Sequence, residues 1–300
     1  MNGDAQMKNP ITLFDYNADW ALKEGYLDPK PSPGFMTREE VIELYRSLGV
    51  DGIEIREDYW GDCSTGHLIG MTRELGLPIN SYVFTVDLSV PTDGQRRAAV
   101  DRVRYLLDRS AELGAKIAMI FPGEVKAGIE LRQIRDWVIE GLSECAAHAR
   151  KTGITLAFEN IDYPPWRPIH GTAEQCVEIC SAVNSPALRL ICDPCAALFV
   201  EQDPVDLLRT MSPYVAHVHL KNSREILQGE KVWRKRESVR GRVLTGTVLD
   251  GGLVPIPAIL DELKRMKYEG ALLIEYQGEN DPRVALPYNI EYLRRQMKDR

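Results

Sequence analysis

Val215-Ala216-His217-Val218-His219-Leu220-Lys221-Asn222 alternates apolar and polar side chains. As a β-strand it places Ala216, Val218 and Leu220 on one face and His217, His219 and Lys221 on the other. The apolar face packs, and the polar face points at something. Three other short apolar runs, 154–159, 188–193 and 271–275, end on a carboxylate in the same way, at Glu159, Asp193 and Glu275. The four tips together suggest convergence on one metal ion.

Working outward, the same strand-then-helix rhythm fills the chain. Strands are predicted at 11–15, 52–57, 77–87, 116–121, 154–159, 188–193, 215–220 and 271–275. Helices are predicted at 37–49, then up to Gly76, and at 92–114, 129–153, 172–183, 204–211, 256–267 and from Val284 onward. Thr37 with Glu40 three residues on has capping-box spacing, and Gly49 is a helix stop. Strand 52–57 sets Ile53 and Ile55 against Glu54 and Arg56, one apolar face and one charged. Strands alternating with helices imply parallel pairing and right-handed crossovers, and eight such units close a (β/α)8 TIM barrel, an α/β fold of about 250 residues before insertions. An open doubly wound sheet would want a Gly-rich phosphate turn after an early strand, and none stands there. The expected organisation is a polar tail over 1–10 and a single barrel domain over 11–300, with an insertion at 223–247 after the seventh strand.

Composition suits an ordinary soluble enzyme. The chain has 300 residues, 44% hydrophobic and 27% charged, which is enough for one large core. A net charge of -7 disfavours a phosphate-backbone binder, so no nucleic-acid partner is expected. No apolar run is long enough to span a bilayer and the first eight residues lack the apolar core of a secretory signal. The expected setting is therefore cytoplasmic, without a membrane partner. Six cysteines are too few for a disulfide scaffold at this length. Cys192 and Cys195 form a C-x-x-C, but it straddles Asp193 and lacks a second pair at zinc spacing, so both read as buried thiols.

In a barrel the strand tips carry the chemistry. Glu159 shares parity with Thr155 and Ala157, Asp193 with Ile191, and Glu275 with Leu273, so all three face the axis together with His219. Three carboxylates aimed at one axis repel one another unless a cation joins them. Glu159, Asp193, His219 and Glu275 form an oxygen-rich set with one imidazole, suited to Mn2+, Mg2+ or Co2+, with Mn2+ favoured. His217 lies about 6.6 Å further down the same face and is expected to support the set rather than join it.

The series Phe158-Glu159-Asn160, Cys192-Asp193-Pro194, His217 to Lys221, Gly251-Gly252-Leu253-Val254-Pro255 and Tyr268 to Tyr276 resembles the xylose isomerase-like TIM barrels, and within them the sugar phosphate isomerase/epimerase group. The resemblance is sharp from about residue 154 onward and architectural before it. It implies that Glu159, Asp193, His219 and Glu275 are the metal ligands and that Glu159 and Glu275 are the acid/base pair. Two departures stand out. Many members have His directly after Glu-Asn, where this chain has Ile161, and many have Asp where it has Asn222.

The expected reaction is that of a sugar (ketose) isomerase or epimerase. One glutamate removes the proton beside a polarised carbonyl, the other returns it, and an enediolate lies between. Lys221, His217, Arg224, Trp166, His170 and Trp20 are the expected substrate contacts, the aromatic ones by stacking on the sugar. A lyase on the same barrel, such as a keto-inositol dehydratase or a C-glycoside-cleaving subunit acting on a 3-keto sugar, would use the same residues. An apurinic-site endonuclease is disfavoured, because it needs several histidines and Ala196 stands where that motif has His. The basic run from Lys231 to Arg242 reads as a solvated loop or subunit contact, and a homo-oligomer is expected.

Overall fold

In a computed structural model, which describes residues 6–18, 37–161, 169–232 and 234–300, the strands close into a ring. Strands β1 (Ile11–Phe14), β2 (Gly52–Arg56), β3 (Ile79–Thr85), β4 (Ile117–Phe121), β5 (Thr155–Glu159), β6 (Leu188–Cys192) and β7 (Val215–Leu220) pair in parallel with their neighbours in sequence. A later strand, Leu272–Ile274, joins β7 to β1 and closes the eight-stranded (β/α)8 barrel.

The period-two pattern explains why two separate cores form. Phe14, Val83, Met119, Ala157, Ile191 and Leu273 meet inside the barrel. Their sequence neighbours, among them Leu13, Phe84, Leu156, Leu190 and Ile274, pack outward against the helices in the larger cluster, as do Ile53 and Val218 beside the inward polar residues of β2 and β7. Each fully buried Leu or Ile of this kind is worth roughly 1.5–3 kcal/mol of apolar transfer. A one-residue slip would exchange the two sets and turn the polar tips into the helical layer.

Helix starts follow local side-chain chemistry. Helices α1 (Arg38–Ser47), α4 (Asp93–Glu112) and α6 (Ala173–Val183) open on capping boxes made by Thr37 with Glu40, Thr92 with Gln95, and Thr172 with Gln175. The helix expected to run up to Gly76 is in fact two, α2 (Glu57–Trp60) and α3 (Thr65–Leu75), because Ser64 caps a new start by accepting from the His67 N–H. The final helix, α9 (Pro282–Lys298), begins before Val284 because Asp281 caps it and Pro282 takes the first position. The supposed tail is docked from Met7, which joins the core, and Asn9 donates to the Tyr268 and Gly270 carbonyls.

The insertion, expected as a solvated loop or subunit contact, is exposed over much of its length but is not a loop throughout. It forms a three-stranded antiparallel sheet of β8 (Asn222–Glu225), β9 (Arg236–Glu237) and β10 (Val243–Thr247), with β10 in the middle. Short polar strands carry no apolar alternation, which hides them from a hydrophobicity pattern. Several of its basic residues are paired, Arg224 with Glu230, and Arg242 with Glu201 and Glu225. A β-bridge between Gly246 and Gly278 ties the sheet to the barrel. A Cβ at Gly246 would lie 2.2 Å from the Gln277 carbonyl oxygen, so the two backbones meet only because residue 246 has no side chain. No helix among the described residues is long and apolar enough to cross a membrane, and the six cysteines are free.

Candidate active site

Glu159 ends β5, Asp193 follows β6, His219 lies on β7 with Lys221 just beyond it, and Glu275 follows the closing strand. All five are buried. His219 Nδ1 lies 2.7 Å from Glu159 Oε1 and 3.5 Å from Glu275 Oε2. Donor atoms of these three residues all fall within 4.8 Å of one another. Asp193 is joined to them through Lys221, whose Nζ is 2.7 Å from Asp193 Oδ2 and 2.9 Å from Glu275 Oε1.

The strand tips are held by amide side chains. Asn160 donates from Nδ2 to the Asp193 carbonyl and accepts from the Asp193 N–H, both at 2.9 Å. Asn17 does the same for the closing strand, donating to the Ile274 carbonyl and accepting from the Tyr276 N–H, both at 2.7 Å. The backbone on either side of Glu275 is therefore fixed independently of its carboxylate. Tyr16 donates its hydroxyl to Glu275 Oε1, and Gln277 Nε2 donates to the same oxygen at 2.6 Å.

Burial sets the electrostatics, and the partners then divide the acids. Burial raises Glu159 above the usual carboxylate range, with His219 opposing and the Glu275 and Asp193 charges adding to the rise. Asp193 is raised by burial, against Lys221. Glu275 goes the other way, because Lys221, His219 and Tyr16 outweigh its burial and hold it low. His219 and Lys221 are pushed up, since the acids around them outweigh desolvation.

The remaining expected contacts divide. His217 lies beneath His219, fully buried, and is hydrogen-bonded through Nε2 to Glu54 Oε1. His170 is also fully buried, with Nδ1 2.7 Å from the Glu159 carbonyl oxygen and its ring edge-on to Phe158, so its faces are not presented for sugar stacking. Burial lowers its imidazole to about 4. Arg224 is turned into the inserted sheet, where Glu230 takes its guanidinium. Trp20 and Trp166 lie outside the described residues. Glu54, Tyr16, Asn17, Asn160 and Gln277 were not singled out as site residues. For Glu54 the signal was present, because it alternates with Ile53 and Ile55, but the same alternation fits a solvated face.

The donor set fits a divalent cation. Glu275 Oε2 is buried with no hydrogen-bond partner among the described residues, and the carboxylates already gather an ammonium, so the place is built for positive charge. Carboxylate oxygens with one imidazole suit Mn2+ or Mg2+ better than a thiolate-type zinc site.

The xylose isomerase-like TIM barrel model matches residues 42–296, and the chain belongs to that family. It is similar to an inosose dehydratase from Geobacillus kaustophilus, 28% identical over 54% of this chain and 51% of that protein, so this match spans about half the relative's length. A second inosose dehydratase, from Clostridium perfringens, is 28% identical over 85% of this chain and 86% of that protein. Among solved structures, an L-ribulose 3-epimerase superposes with a TM-score of 0.75 at 17% identity, over 97% of this chain and 95% of that one, which is a likeness of fold.

Proposed function

We propose, with membership of this family as the premise, that the chain is a divalent-cation-dependent isomerase or epimerase of a sugar-like keto compound. The observation that carries it is the placing of Glu159 and Glu275 about one nitrogen of His219 at the barrel mouth. Glu159, Asp193, His219 and Glu275 would hold the ion. Bound there, a divalent cation supplies Lewis-acid polarisation of the substrate carbonyl.

The chain's own residues do the rest. One glutamate takes the proton from the carbon beside the carbonyl and the other returns it, with an enediolate between. Lys221 offers an ammonium to substrate oxygens from its place between Asp193 and Glu275. Tyr16 and Gln277 both donate to Glu275 Oε1, which orients that carboxylate. We take Mn2+ as the native ion, with Mg2+ or Co2+ able to replace it. The free thiols suit a reducing, cytoplasmic setting, and we expect a homo-oligomer.

A second reading is a lyase, in which the enediolate expels a neighbouring leaving group, a hydroxyl that takes a proton from the second glutamate and departs as water or else an aglycone, instead of being reprotonated on carbon. It is favoured by the similarity to two inosose dehydratases. Turnover of ketoses, keto-inositols and 3-keto-glycosides in heavy water separates the two, with Mn2+ added back to chelated protein. Deuterium in recovered or isomerised sugar supports the first reading, and loss of water or of an aglycone supports the second. Neither outcome with any of these substrates, in protein shown to bind Mn2+, removes both.

A further inference from the structure

Glu54 enters the barrel interior from β2, and no step above uses it. Its carboxylate is fully buried. Oε1 is hydrogen-bonded to His217 Nε2 and lies 3.4 Å from the Thr12 hydroxyl. Oε2 lies 3.6 Å from His219 Nε2, and neither of these two atoms has a hydrogen-bond partner among the described residues. The other nitrogen of the same ring, Nδ1, faces Glu159 and Glu275. Phe14 and His217 both stand edge-on to the His219 ring, at 84° and 86°, so the plane of the ring is set by packing.

A neutral imidazole carries one proton, and a nitrogen must offer its lone pair to bind a cation. His219 can therefore serve the cluster through Nδ1 only with its proton on Nε2. That proton faces a carboxylate oxygen, Glu54 Oε2, across a distance a small adjustment closes to a hydrogen bond. Resting on the cation centre proposed above, we infer that Glu54 is a positioning residue that fixes the proton of His219 on Nε2 and so presents Nδ1 to the ion, with His217 bracing the opposite carboxylate oxygen. Carboxylates behind metal-bound histidines act in this way in general, and their loss costs about 10- to 100-fold in metal affinity or activity.

The test titrates Mn2+ into chelated wild-type protein and Glu54→Gln, with bound ion read by calorimetry and the fold checked by thermal unfolding without the ion. Glutamine keeps the shape but offers an amide N–H where His219 needs an acceptor. The expected result is one equivalent bound by the wild type and a roughly 10- to 100-fold weaker affinity in folded Glu54→Gln. Wild-type affinity in a folded Glu54→Gln overturns the inference and leaves the cation centre standing. No binding by the wild type overturns both. A second equivalent that Glu54→Gln loses would make Glu54, His217 and His219 an ion site of their own and overturn the positioning role. Should Glu54→Gln not fold, 15N NMR of histidine-labelled, Mg2+-loaded wild type decides the matter. The proton on His219 Nε2 supports the inference, and the proton on Nδ1 overturns it.

Discussion

Two polar layers sit one above the other inside the barrel, and they differ in charge rather than in burial. The upper layer holds Glu159, Asp193 and Glu275 against Lys221 and one face of His219. The lower layer holds Glu54, His217, Thr12 and Ser81, all essentially without exposure. Below, one carboxylate meets two imidazoles, and burial, which alone would raise Glu54, is outweighed by the hydrogen-bonded His217 and the nearby His219, so that its carboxyl stays low. Above, three carboxylates share a single ammonium, and two of them are raised by burial. The lower layer is balanced by its own residues. The upper one is short of positive charge, which is what a site for a divalent cation requires.

The largest test of this contrast is Glu275→Gln. It removes an upper-layer carboxylate that serves both as proposed ligand and as proposed acid/base group, and turnover should fall by about 10²–10⁴-fold or more while the fold survives, as read by kcat and thermal unfolding. Next in size is Lys221→Met, which leaves Asp193 and Glu275 without their ammonium. The metal-free protein should lose about 3–5 kcal/mol in urea unfolding, the cost of breaking a buried pair from one side. Added Mn2+ should restore much of this loss, and an unchanged metal-free stability would show that the upper layer does not need the charge.

Removing the ion from wild-type protein should cost less. At a free concentration of about 100 Kd, Mn2+ stabilises by about 2.7 kcal/mol, which chelation abolishes, as a shift in unfolding midpoint reports. The smallest effect per pH unit concerns another buried carboxylate, Asp15 beside β1, which accepts from the Arg56 N–H and the Trp60 indole. Burial pushes it up to about 7 from 3.8, against Arg56. Between those values the folded protein holds a proton that the unfolded chain has lost, so stability falls as pH rises through the window. The slope is about 1.4 kcal/mol per pH unit. Metal-free Asp15→Asn should lack this component, and parallel urea profiles for the two proteins would refute it.

What could be read from the sequence follows the same division. The tips of β5, β6, β7 and the closing strand were legible because each apolar run ends on one polar group of defined parity, and the barrel fold followed from counting such units. Glu54 was visible as a parity but not as an interior residue, because alternation reports two faces without saying which one meets solvent. Asn17 and Asn160 were opaque for a different reason. Their role lies in hydrogen bonds to strands far along the chain, and no local spacing encodes that. The inserted sheet was hidden by its charged strands, and the placing of Lys221 between two acids needed three dimensions.

The paired amide clamps carry a consequence for engineering. Because Asn160 and Asn17 secure the main chain at Asp193 and around Glu275, the backbone at those acids is held by side chains that stand beside the strand tips themselves. Specificity could therefore be redrawn by grafting foreign loops onto the rim, provided the two asparagines are left as they are.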